Sequence, residues 1–267
     1  MSMFQNVIIG QYIPGRSLMH HLDARAKLIV VFLFVFVIFL ANSWVSYGTL
    51  FAGALFVFSI SGIPIRYIWK GMLPISILIL FTFLLHAFFT NEGELLYSFG
   101  AFTVYSGGLE QGFFISMRLF LLVFITSLLT LTTSPIDLTD ALEIMLSPLK
   151  KIGVPAHDIA LMMSIAIRFI PTLLQETEKI LKAQAARGAD FTKGTVKDRS
   201  QAFVSLLVPL FMRAFKRAED LAYAMEARGY NGGEGRTKLR ELVWRKRDTA
   251  ACIIVAAFGI LIFAIRG

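Results

Sequence analysis

The sequence predicts an all-α membrane protein with about five transmembrane helices and a cytoplasmic module of one short and two long helices. Three observations carry that expectation. The chain is 56% hydrophobic and only 16% charged over 267 residues, with a mean hydropathy of +0.68, whereas soluble domains are about 45–50% apolar and about 25% charged. Its apolar runs alternate with short connections whose Lys and Arg fall on one side only. Two late helical patterns, greasy first and charged later, each close on Ala-Arg-Gly. Residues 1–133 are expected to form a membrane region with four spans, 134–247 the cytoplasmic module, and 248–267 a last span.

Residues 1–27 read as a cytoplasmic lead-in, and no cleavable signal peptide is expected. His20, His21, Asp23, Arg25 and Lys27 stand before an abrupt apolar wall. The last three are expected to serve as helix-start and interfacial charges. Apolar runs at 28–41, 45–63, 72–89, 113–133 and 249–265 come close to the roughly 20 residues that a spanning helix needs. Asn42, Ser43 and Trp44 break the first run from the second. Gly48, Gly53 and Gly62 soften the second, and such small residues let helices approach closely in lipid. Pro64, Arg66 and Lys70 are expected in the turn before the third. The loop 90–112 holds Glu92, Glu94 and Glu110 and no Lys or Arg. The 25 Phe residues fit lipid-facing helices.

Lys and Arg near the spans set the orientation. The 42–44 and 90–112 connections have none, the lead-in has Arg16, Arg25 and Lys27, and residues 134–247 hold 19 of the 26. The N-terminus and the module are therefore expected inside, and the C-terminus outside. The net charge of +8 marks cytoplasmic segments and anionic lipid, not nucleic acid. The basic run Arg236, Lys238, Arg240, Arg245, Lys246 and Arg247 directly precedes the last span and is expected to anchor at the interface. Arg118, just over a turn into the fourth span, is expected to anchor at the outer headgroups. His86, near the outer end of the third, is expected to make an interfacial hydrogen bond. The single Cys252 lies in an apolar run and reads as a small buried hydrophobe.

After Thr133 the pattern changes. Ser134, Pro135 and Asp137 give an N-cap, a first-position Pro and a first-turn acid, which start a short helix over Pro135–Leu146. A long helix is predicted over 156–187, with Pro171 expected to kink it, and another over 200–228. The first half of each is greasy but interrupted by charge (Arg168, Arg213), so neither is expected to span.

Catalysis needs convergent titratable groups, and they are missing. His20, His21, His86 and His157 form no H-x-x-x-H ligand set, and neither a G-x-x-x-x-G-K-[ST] loop nor a G-x-S-x-G elbow occurs. No catalytic, cofactor-binding or metal-ligating residue is assigned. A membrane-embedded enzyme would need carboxylates or His at cytoplasmic span ends, where only Asp23, Asp137 and Asp140 qualify, without metal-like spacing. An autonomous secondary transporter would want polar or broken helices at mid-membrane, and these spans are uniformly apolar.

The two closing stretches, 178–188 and 219–229, are offset by 41 residues, and Glu, Ala, Ala, Arg and Gly coincide in both. Each end alone is explained by capping: Gly takes the left-handed position and Arg complements the helix dipole. The repetition points further. Arg is a planar fork of donors suited to an interface, and small Ala neighbours let a groove close around the tip. Ala186, Arg187 and Gly188 with Ala227, Arg228 and Gly229 are the candidate site.

These motifs, with His-x-Leu-Asp-x-Arg-x-Lys at 20–27, Leu-Thr-Thr-Ser-Pro at 131–135 and Arg-Phe-Ile-Pro at 168–171, resemble the transmembrane component of energy-coupling factor transporters, the EcfT/CbiQ family. The resemblance covers nearly the whole chain. One position departs: Ala24 stands where the family commonly has Pro. The resemblance implies two long crossing coupling helices, each of whose motifs docks on one of two ABC-type ATPase subunits. It also implies a membrane S component that binds a vitamin or a transition-metal ion. ATP and Mg would reside on the ATPase subunits, and this chain would be non-catalytic.

Overall fold

The computed structural model describes residues 12–99, 102–148, 153, 155–189, 191, 195–232 and 242–266. The chain forms eight α-helices among these residues: α1 Ala24–Leu40, α2 Trp44–Ser61, α3 Ile65–Phe89, α4 Ser106–Thr132, α5 Pro135–Leu146, α6 Ala156–Ala186, α7 Val196–Ala227 and α8 Lys246–Ile265. A two-stranded antiparallel hairpin, β1 Leu95–Phe99 and β2 Phe102–Tyr105, interrupts the series between α3 and α4. The expected all-α membrane architecture is what forms. Two compact units divide it: residues 10–141 with 242–267, and residues 142–241.

In the first unit α4 is the central helix, packing on α1, α2 and α3, while α8 packs on α1 and α2. Ile38, Tyr47, Leu50, Leu121, Leu128 and Ile262 are almost fully buried between them. Phe32, Phe56, Ile77, Phe81, Phe89, Ile254 and Phe263 point outward instead, as lipid-facing residues do. Glycines set the closest approaches. A Cβ on Gly259 would sit 2.8 Å from Val37, and one on Gly53 2.9 Å from Phe258. Gly48, by contrast, faces open space.

Several boundaries differ from those expected. α3 begins at Ile65, directly after Pro64, so Arg66 and Lys70 lie in its first turns and not in a loop; Pro suits the start of a helix. α4 begins at Ser106, seven residues early, despite three glycines of low helix propensity in that stretch. Packing overrides propensity there: a Cβ on Gly108 would lie 2.8 Å from the His86 carbonyl oxygen. α7 starts at Val196 because Thr195 and Asp198 form a reciprocal capping box. α6 continues through Pro171 and α7 through Pro209.

Among the described residues five helices have the length and composition to cross a membrane: α2, α3, α4, α8 and, against expectation, the 157–186 part of α6. α1 has 17 residues. α6 qualifies because its charges are few over its first half, but its apolar residues gather on one side, as do those of α7. α1, α2 and α8 are apolar all round, the pattern of helices surrounded by lipid and protein.

The lead-in charges are not merely interfacial. Asp23 N-caps α1 and is buried, as is Lys27. The buried Asp248 carboxylate accepts the Asp23 backbone N–H at 2.9 Å and the Arg245 backbone N–H at 2.7 Å, so one carboxylate joins the starts of the first and last helices. Arg25 donates to Asp23 at 2.8 Å and to the Leu242 carbonyl at 2.9 Å, and lies over the Trp244 ring. Arg247 donates to the His21 carbonyl. Lys27 Nζ donates to the Thr132 carbonyl at 2.9 Å, bringing in the end of α4. Burial pushes the Asp23 carboxyl up, but the hydrogen bonds from Arg25 and the charges of Arg25 and Lys27 outweigh it and hold it below the usual carboxylate range.

Arg118 is also tied inward: it donates to Tyr47 Oη at 3.1 Å and lies over Phe39, in place of the expected reach to headgroups. His86 Nδ1 bonds the Thr82 carbonyl within its own helix at 2.9 Å. Of the basic run before α8, Arg236, Lys238 and Arg240 lie outside the described residues.

Candidate functional site

Both Ala-Arg-Gly motifs end a long helix in the same way. α6 stops at Ala186, with Arg187 as C-cap; the Gly188 N–H donates to Ala185 and the Ala189 N–H to Gln184, each at 3.0 Å. α7 stops at Ala227, with Arg228 as C-cap; the Gly229 N–H donates to Glu226 at 2.8 Å and the Tyr230 N–H to Met225 at 3.0 Å. These are two copies of one Schellman end, in which the last carbonyls are satisfied by a turn back on the helix. The turn demands φ > 0 after the cap. Gly188 has φ 91° and Gly229 φ 72°, and nothing else lies within 4 Å of a Cβ at either position. Conformation, not crowding, selects glycine here.

All six motif residues are exposed. Among the described residues neither the Arg187 nor the Arg228 guanidinium has an acceptor. Each tip therefore offers a planar cation with its donors free, flanked by methyl side chains, on a helix whose direction the cap fixes. That arrangement can bind carboxylates or backbone carbonyls of a second surface.

The helices behind the tips are held to one another. Arg217 of α7 donates to Glu176 of α6 at 2.5 Å and lies over the Phe169 ring at 5.5 Å from its centroid. Gln184 donates to the Ser205 carbonyl at 3.1 Å, and Phe191 meets Phe203 edge-on. Residue numbers fall on α7 as they rise on α6, so the helices run antiparallel through this contact. Sequence reasoning missed the Glu176–Arg217 pair. The signal was present, since the two residues are themselves 41 positions apart, the offset of the motifs.

The CbiQ family, described as cobalt transport protein, matches residues 15–239, which include both tips, the Glu176–Arg217 pair and the lead-in. The chain belongs to this family. Relatives in it are the energy-coupling factor transporter transmembrane proteins EcfT of Bacillus subtilis (strain 168), 55% identical over 99% of this chain and 100% of the relative, and of Exiguobacterium sibiricum, 52% identical over 98% and 99%. EcfT of Staphylococcus aureus (strain 04-02981) is 44% identical over 99% and 98%. As a CbiQ/EcfT-family chain with apolar helices of spanning length, it is the multi-pass transmembrane component of an energy-coupling factor transporter.

Proposed function

We propose that this chain transmits ATP-driven motion from two ABC-type ATPase subunits to a membrane S component, which takes up a vitamin or a transition-metal ion. The observation that carries the reading is the pair of matching exposed helix ends. Two identical tips suit two related ATPase subunits. Ala186, Arg187 and Gly188 dock on one, and Ala227, Arg228 and Gly229 on the other. ATP and Mg are held by those subunits, and this chain is non-catalytic. The Lys and Arg distribution supports an N-terminus and a 134–247 module on the cytoplasmic side and a C-terminus outside. When the ATPase pair closes on ATP, it draws the tips with it, and α6 and α7 pass the displacement on through their apolar faces.

The test is charge reversal at both tips. The Arg187→Glu, Arg228→Glu double variant is expected to insert normally, to lose the ATPase subunits on pull-down and to abolish uptake. A hot-spot Arg is worth about 2 kcal/mol or more, so single reversals are expected to weaken docking without eliminating it. A double variant with normal pull-down and normal uptake would overturn the reading.

A further inference from the structure

A second feature belongs to the unit of residues 10–141 and 242–267. α2 and α3 are joined by the turn at Gly62 to Pro64, and each packs on α4 more than on the other. The cleft between them is walled by Phe51 and Phe58 of α2 and by Trp69 and Leu80 of α3, and floored by Phe120 and Phe124 of α4. Its volume is about 500 Å³. Its lining along α3 runs from Ile65 to Phe83, about 27 Å of helix, close to the roughly 30 Å of bilayer hydrocarbon.

Those dimensions select the occupant. Along about 27 Å, that accessible volume plus the margin of about 1.4 Å around it makes a channel roughly 8 Å across. A helix with side chains is about 10–12 Å across, or roughly 80 Å² or more. The cleft admits alkyl chains but is too narrow for a helix, and it runs along a membrane-crossing helix, the direction in which a lipid chain lies. Ser76 and Ser116 are its only polar lining side chains. At its α3 start, Arg66 follows the lining residue Ile65 and Lys70 follows the lining residue Trp69. Both cations are exposed and have no carboxylate partner among the described residues. Basic residues beside a cleft between transmembrane helices recognise anionic headgroups, and Trp69 has the amphipathic ring that favours that depth.

We propose that the α2–α3 cleft seats one acyl chain of an anionic phospholipid whose phosphate is held by Arg66 and Lys70. The bound lipid completes the wall that α2 and α3 leave open. The site requires neither ATPase docking nor uptake, so its failure and that of the proposed function are separable.

The test uses the full chain, purified from membranes that contain phosphatidylglycerol and phosphatidylethanolamine, with retained lipid measured by native mass spectrometry. Phosphatidylglycerol is expected to be retained over phosphatidylethanolamine, and Arg66→Gln with Lys70→Gln to cut its retention roughly tenfold or more. Ser76→Phe, which fills the cleft and leaves the cations in place, is expected to cut it as well. A photocrosslinking amino acid at position 76 is expected to capture an acyl chain in intact membranes. Retention unchanged by both sets of substitutions would overturn the proposal, and so would capture of a membrane protein at position 76.

Discussion

Arg217 and Glu176 form an ion pair that stands 11 residues before each helix tip: Glu176 precedes Arg187 by 11 positions, and Arg217 precedes Arg228 by 11. Eleven residues of helix rise about 16 Å. Because α6 and α7 run antiparallel at the pair, the two arginine ends project to opposite sides of it by equal lengths. The pair fixes where one arm is crossed by the other.

Removing one partner of that pair is expected to cost more than removing both. The Glu176 side chain is 14% exposed, and its Oε2 already lacks a partner. Arg217→Leu then leaves a largely buried carboxylate unpaired, a loss of about 1–3 kcal/mol. Arg217→Leu with Glu176→Leu is expected to recover part of it. Thermal unfolding of the four proteins of a double-mutant cycle, in detergent, measures the difference.

Substitutions at the tips separate conformation from contact. Gly188→Ala and Gly229→Ala are each expected to cost about 1–2 kcal/mol locally, because a left-handed backbone is unfavourable for an L side chain. The cost is expected to be additive across the two sites, which share no partner. Amide exchange in the last turns of α6 and α7 reports it directly, with faster exchange expected at the substituted end only.

The buried carboxylate of Asp248 supports two backbone donors, those of Asp23 and Arg245. Asp248→Ala is expected to destabilise the membrane unit by about 2–5 kcal/mol, since both N–H groups lose their acceptor. Thermal unfolding in detergent again measures it, with Thr249→Ala as the neighbouring control.

Asp23 gives that region a pH dependence of definite sign. Its carboxyl is held below the usual range, so the folded state favours the charged form. The resulting stability is complete above the unfolded carboxylate value of about 3.9 and fades as pH falls through the lower folded value. Asp23→Asn is expected to remove the acid-side slope. Melting temperatures between about pH 5 and pH 3 check this; an unchanged slope would contradict it.

Much of this architecture is legible in the sequence because lipid imposes long apolar runs and one-sided basic connections. Spans near α2, α3, α4 and α8 and the short helix Pro135–Leu146 follow from those runs and from capping residues. The start of α4 was not legible. Gly108 and Gly112 look like loop until the carbonyl groups at the end of α3 are seen to need that space, and Gly107 until the Glu92 carbonyl is seen beside it. Lys27 and Asp23 look like surface charges because their partners, Thr132 and Asp248, lie about 105 and 225 positions away. At the candidate site the repeat announced the tips, and the same spacing encoded the ion pair behind them, but only contact shows which repeated positions meet.

The shared carboxylate between the first and last helices also dictates an order of assembly. During synthesis Asp23 and Lys27 reach the bilayer long before Asp248 exists, with the whole of α2 to α7 still to be made. Until α8 arrives, the N–H of Asp23 has no acceptor from that helix. The newest helix completes the oldest, which makes maturation of the membrane bundle a step that follows translation of both motif-bearing helices, α6 and α7.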